Sequence, residues 1–301
     1  MDHGRPLHDP FDLHDAVYEP WQPPAVAPRD RWFEADDGAR LHDVEWPADP
    51  GAPTVALIHG RRAHARWFDP IVPYLSPRYR LISLDLRGHG ESASRGPAEL
   101  KRYAADVAEW LHQDGGRPLA VMAHSMAGRI VILAAELHGL RPDLLLMVDA
   151  PIYRRPHHAR PEAEFKMKRY PDREAAIARF RLMPPGTTAH PDCIRYIAEH
   201  SIRRNEDGSW SWRFDERGST RPFGADFPDA DQLALERITC PTLVVYGEHS
   251  LLVDAEEARR TAERFPRGRV VELADAYHHL MLDRPRAFSR LALDFFAAAG
   301  F

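Results

Sequence analysis

Cysteine is scarce: the 301 residues hold two, Cys193 and Cys240, far apart and in no metal-binding spacing. They supply neither a disulfide framework nor a zinc site, and both are expected to be reduced, ordinary residues. Long hydrophobic runs are lacking too. No stretch reaches the roughly 18 uninterrupted apolar residues of a membrane span, and the first residues, Met-Asp-His-Gly-Arg-Pro-Leu-His, show no apolar run and no small-residue cleavage site. A soluble, cytoplasmic protein without a membrane partner is expected. Positive charge is not in excess, since 40 Lys and Arg face 45 Asp and Glu for a formal net charge of -5. Nucleic acid is bound by clustered excess Lys and Arg, so it is not expected as a generic partner. Internal repeats and low-complexity linkers are also missing.

What is present is 44% hydrophobic content, enough for one large domain or a core domain with an insertion. Continuous apolar runs end or begin at turn signals: Thr54 to Gly60, Arg80 to Asp85, Asp143 to Val148, Pro241 to Tyr246 and Arg269 to Leu273. Such runs suit strands buried on both faces of a parallel sheet. Apolar residues at helical spacing lie between them, as at Tyr103, Val107, Trp110 and Leu111, and Asp254 to Phe265 and Pro285 to Ala299 read as further helices. Two short strand-like runs flank Asp36-Asp37-Gly38 between Arg31 and Glu45. The fold class predicted is α/β, a mostly parallel central sheet with helices on both faces.

The interval from Pro151 to Arg237 is too long for an ordinary connection. It predicts an inserted cap with helices around Glu162 to Arg169, Glu174 to Phe180 and Pro191 to Arg204, followed by a Trp-rich stretch from Gly208 to Phe214. Arg154, Arg155, Arg160, Lys166, Lys168 and Arg169 bias its start towards positive charge, as a solvated helix face would. The expected division is an extended Pro-rich arm at 1–30, a core at 31–150 and 238–301, and a helical cap at 151–237.

Pro118 to Gly139 is the most informative stretch. An apolar strand turns through Ala123-His124-Ser125-Met126-Ala127-Gly128 into an apolar helix, with Ser125 at the corner. Small neighbours let strand and helix approach closely, which suits a nucleophile elbow, and the helix starting at Met126 aims free N–H groups at whatever the serine attacks. On this pattern alone, a core serine in a tight turn explains the stretch as well.

Three further landmarks follow in order: His59-Gly60-Arg61, Asp85-Leu-Arg-Gly-His-Gly-Glu-Ser92 and Ala276-Tyr-His278-His279-Leu-Met-Leu-Asp-Arg-Pro285. With the elbow, they resemble the α/β-hydrolase family over residues 31 to 299. The resemblance implies Ser125 as nucleophile, His278 as general base with His279 as the spare, and the backbone N–H groups of Arg61 and Met126 as the oxyanion hole. Asp85, Arg87 and His59 would hold loops. Where the family usually carries its acid, in a Gly-x-x-Asp pattern, this chain has Gly247-Glu-His-Ser250. Some members place the acid at the end of the strand after the elbow helix, which makes Asp149 the candidate, with Asp254 and Glu248 as fallbacks; capping the entrance to the lid is the other reading of Asp149.

The resemblance further implies a hydrolase for a small organic ester, lactone or thioester, acting through an acyl-enzyme without metal or organic cofactor. A carbon-carbon bond hydrolase uses the same triad, and a non-hydrolytic ligand-binding or cyclase-type member of the fold stays open. Trp67, Phe68, Trp210 and Trp212 are the candidates for an apolar substrate pocket, although aromatics at alternate positions also suit a packed strand.

Overall fold

The computed structural model describes residues 18–19, 21–96, 98–153, 167–215 and 232–301. In chain order its strands are β1 (Arg29–Glu34), β2 (Arg40–Trp46), β3 (Thr54–Ile58), β4 (Arg80–Leu84), β5 (Leu119–His124), β6 (Leu144–Val148), β7 (Ile202–Arg204), β8 (Trp210–Trp212), β9 (Thr242–Gly247) and β10 (Gly268–Leu273). Eight of them form one sheet in the order β1-β2-β4-β3-β5-β6-β9-β10. The β1-β2 and β2-β4 pairs are antiparallel and the rest parallel. The helices are α1 (Val72–Leu75), α2 (Leu100–Asp114), α3 (Met126–His138), α4 (Arg173–Ile177), α5 (Pro191–His200), α6 (Ala255–Glu263), α7 (Leu280–Asp283) and α8 (Pro285–Ala298).

Every residue of β3, β5 and β6 is buried, because helices cover both faces of the sheet. Side chains alternate between the faces along each strand. Ala56, Ile58, Val121, Ala123, Leu145 and Met147 therefore join one core with α2, α3 and α6. Val55, Leu57, Ala120, Met122, Leu144 and Leu146 join the other with α1 and α8. Each buried Leu, Ile or Phe is worth roughly 1.5–3 kcal/mol, so this alternation decides which face each helix can cover.

The parallel strands all end at one edge, and the connections there lie close together. Gly60 follows β3, Ser125 follows β5, Asp149 follows β6, Ser250 follows β9 and His278 follows β10. That edge is where open parallel sheets collect ligands.

The elements differ from expectation mainly in the insertion. Residues 154–166 and 216–231 lie outside the described residues, and with them Arg154, Arg155, Arg160, Lys166 and most of the helix expected at Glu162 to Arg169; Met167–Arg169 are not helical. The helix expected to reach Arg204 ends at His200, because Ile202–Arg204 pairs antiparallel with Trp210–Trp212 in a separate hairpin. Tyr170 adds an isolated bridge to Trp210. Most of the expected N-terminal arm is also outside the described residues; β1 begins at Arg29, within it, and Trp21 packs against Tyr196 with ring centroids 5.2 Å apart. Among the described residues no helix is long and apolar enough to cross a membrane.

Candidate active site

Ser125 stands between β5 and α3 with φ 57° and ψ -122°, a conformation that costs a non-glycine residue strain and persists only when its surroundings hold it. Its N–H donates to the Val148 carbonyl at 2.9 Å. Small neighbours make the close approach possible. A Cβ on Gly128 would lie 2.6 Å from the Ala150 Cβ, and one on Gly60 would lie 2.8 Å from the Ser125 Cβ.

The loop after β10 carries His278, which is buried. Its Nε2 lies 3.0 Å from the Ser125 Oγ and its Nδ1 lies 2.6 Å from Asp149 Oδ2. A carboxylate at Nδ1 draws the ring proton to that side, leaving Nε2 to accept from the serine hydroxyl. Asp149 closes β6 at φ 42° and is completely buried. Oδ1 accepts the Gly247 N–H at 3.1 Å, and Oδ2 accepts the Ser250 hydroxyl at 2.7 Å. The structure thus joins Ser125, His278 and Asp149 in one hydrogen-bonded chain.

The fallback acids are not part of it. Asp254 caps α6 by accepting the Glu257 N–H at 2.8 Å. Glu248 is exposed and accepts the Asp275 N–H at 2.9 Å. Both follow β9 but accept from backbone N–H groups, while the serine between them donates to Asp149. His279 is buried and neutral, its pKa held well below the ordinary value chiefly by desolvation. Its ring packs edge-on against Trp67 at 5.6 Å.

His124 supports the loop of the base. Its Nε2 donates to the His278 carbonyl at 3.0 Å, and burial chiefly holds its pKa well below normal. His59 is pushed down to about 3 by burial and stays neutral, with Nδ1 donating to the Gly60 carbonyl and Nε2 accepting the Leu86 N–H. Asp85 accepts from His42, Ala65 and Glu91, and Arg87 forks onto both oxygens of Asp106, so this pair fixes its loop. Arg61 follows Gly60 and Met126 opens α3, so the backbones of both border the serine.

Among the pocket candidates, Trp67 continues from His279 to Phe180 at 6.1 Å, and Phe180 to Trp212 at 6.2 Å. Trp210 is half-buried in the same hairpin as Trp212. Phe68 is fully buried in the core with α1 and α8, the same core that Trp67 and Phe180 join. Ring nitrogens of His124, His278 and His279 lie within 4.8 Å of one another and could offer metal ligands, as could exposed Glu248, His249 and Asp275. Both nitrogens of His278 are already engaged, so an ion there would compete with the Ser125 and Asp149 bonds. In the sequence Ser250 is visible only as a departure from the acid pattern, and no local signal marks its hydrogen bond to Asp149.

With this geometry in view, comparison with known proteins decides the family. The model of the Alpha/beta hydrolase family matches residues 55–291. The chain belongs to the alpha/beta hydrolase family. This hydrolase is 27% identical over 245 residues to (E)-2-((N-methylformamido)methylene)succinate hydrolase of Acinetobacter baylyi, covering 78% of the chain and 86% of that protein. It is 29% identical over 252 residues to an esterase of Mycobacterium tuberculosis, covering 78% and 80%. The solved structure of E-2-(acetamidomethylene)succinate hydrolase superposes with a TM-score of 0.79 at 23% identity, over 90% of this chain and 100% of that one, a likeness of fold.

Proposed function

We propose that this hydrolase cleaves an ester, lactone or thioester of a small organic substrate through an acyl-enzyme on Ser125. The observation that carries this reading is the chain from Ser125 Oγ through His278 to Asp149, with contacts of 3.0 and 2.6 Å. As Oγ bonds to the substrate carbonyl carbon, its proton passes to His278 Nε2, and the resulting imidazolium is offset by the Asp149 carboxylate. The carbonyl oxygen becomes an oxyanion that accepts from the N–H groups of Arg61 and Met126. When the tetrahedral adduct collapses, His278 returns the proton to the departing oxygen or sulfur. Water then repeats the sequence on the acyl-enzyme: it loses a proton to His278 as its oxygen bonds to the acyl carbon, and Ser125 Oγ takes that proton back as it leaves, freeing the acid.

Residues 151–237 would act as the cap over this site, and the series His279, Trp67, Phe180 and Trp212 supports an apolar acyl pocket. A second reading is favoured by the relative whose name gives an N-methylformamido-methylene succinate as its substrate. The same residues would then act on an acylated nitrogen, with His278 protonating the amine.

A fluorophosphonate probe tests the nucleophile. It should label the native protein and fail on Ser125→Ala. No labelling, where a control hydrolase is labelled, would replace hydrolysis with the ligand-binding reading. A panel of esters, lactones, thioesters and N-acyl compounds of graded acyl length then separates the classes, with medium or aromatic acyl groups expected to exceed acetyl in kcat/KM.

A further inference from the structure

We infer that Ser250 is a positioning residue for the Asp149 and His278 pair: its hydroxyl holds the carboxylate in line with the imidazole and moderates how strongly it attracts the imidazolium. The inference rests on the triad reading above.

The hydroxyl has no freedom to point elsewhere. Oγ carries one proton and two acceptor directions. The N–H groups of Leu252 and Val253 take the acceptor side at 3.1 and 3.2 Å, which leaves the proton directed at Asp149 Oδ2, 2.7 Å away. That oxygen also receives His278 Nδ1 at 2.6 Å, while Oδ1 receives the Gly247 N–H. The Ser250 N–H closes the turn onto the Gly247 carbonyl at 2.9 Å. Gly247 in turn is pressed against the loop of the base: a Cβ there would lie 2.3 Å from the Tyr277 carbonyl oxygen. One turn therefore holds both oxygens of Asp149 and packs against the backbone preceding His278.

Two effects of this hydroxyl can be separated. It fixes the carboxylate, so its loss should loosen the alignment and lower turnover. It also withdraws charge from Oδ2, so its loss should concentrate negative charge beside Nδ1 and favour the protonated imidazole. A residue that merely filled space would produce the first effect alone.

The test is the pH profile of kcat/KM for Ser250→Ala and Ser250→Thr, measured on a chromogenic ester that the native enzyme turns over, with Asp149→Asn as reference and folding checked by circular dichroism. Ser250→Ala is expected to lose on the order of tenfold in kcat and to move the acidic limb of the profile upward by about half a pH unit. Ser250→Thr, which keeps a hydroxyl, should restore both. A folded Ser250→Ala with an unmoved limb overturns the inference, whether or not turnover falls. If Asp149→Asn itself retains native turnover, the triad reading fails; if it collapses while Ser250→Ala is silent, only the role of Ser250 fails.

Discussion

Gly60 and Ser125 meet with no side chain between them: a Cβ on residue 60 would sit 2.8 Å from the Ser125 Cβ and 3.3 Å from its Oγ. Neither side can yield easily, since Ser125 is held at positive φ between β5 and α3 and Gly60 directly follows the buried β3. A methyl group there would push the Arg61 backbone away from the serine while leaving the sheet intact. Gly60→Ala is therefore expected to cut kcat by on the order of 10²-fold, the effect of losing one oxyanion donor. Thermal melting should fall as well, since overpacking a buried contact costs about 1–3 kcal/mol. Native turnover in this variant would remove the Arg61 backbone from the proposed oxyanion hole.

Three acidic side chains near the ends of β6 and β9 can be ranked by what they touch. Asp149 faces the Nδ1 of His278 at 2.6 Å, Glu248 binds the Asp275 N–H and Asp254 caps α6. Asp149→Asn should lower kcat by on the order of 10⁴. Glu248→Gln and Asp254→Asn should stay near native turnover, and Asp254→Ala should lose about 1 kcal/mol of stability, as a missing N-cap does. Steady-state kinetics and urea unfolding on the four variants check the ranking, which fails if either Glu248→Gln or Asp254→Asn collapses while Asp149→Asn does not.

Burial raises the Asp283 carboxyl from its ordinary 3.8 to about 6, despite hydrogen bonds from Thr187, Thr188 and Tyr277. A group whose folded pKa is raised favours the fold most below its unfolded pKa, and that contribution is lost as pH rises towards the folded pKa. The window is thus pH 4 to 6, and the effect is on the order of 3 kcal/mol. Asp69, also raised to about 6 by burial, acts in the same direction. Asp283→Asn cannot ionise, so the difference in unfolding free energy between native and variant should shift in favour of the variant as pH rises from 4 to 6. Denaturant unfolding at several pH values checks the slope, and parallel curves would refute it.

Much of this architecture was legible because buried parallel strands are written as unbroken apolar runs. Thr54 to Ile58 and Leu144 to Val148 announce themselves without any neighbour, as does the strand-to-helix switch around Ser125. The insertion was harder. Ile202–Arg204 continues a helical pattern locally, and only pairing with Trp210–Trp212 makes it a strand. Phe68 and Trp67 are adjacent in sequence and share one core, yet only a distant loop placed beside them brings the ring of His279 against Trp67. The link between Asp149 and Ser250 was beyond local pattern for the same reason. It exists because β6 and β9 lie side by side, with Val148 opposite Val245, which brings two distant strand ends into contact.

That adjacency makes one exchange worth predicting. Ser250 occupies the place where the family pattern carries its acid, and its Oγ is 2.7 Å from the oxygen that His278 now uses. A carboxylate built on residue 250 would extend a bond beyond Oγ, towards the present position of Asp149 Oδ2. In the single variant Ser250→Asp, two carboxylates would then crowd one buried site, and like charges so close cannot both ionise without a large cost. That variant should be less stable and less active. Combined with Asp149→Asn, the crowding is relieved, because the amide keeps the size of the native side chain and can donate to the new carboxylate. The double variant should regain at least about 10²-fold of the roughly 10⁴-fold in kcat lost by Asp149→Asn alone. Measuring kcat for both single variants and the double variant gives the coupling directly. Additive losses would mean that residue 250 cannot reach Nδ1 of His278, and that the acid of this hydrolase is bound to the end of β6.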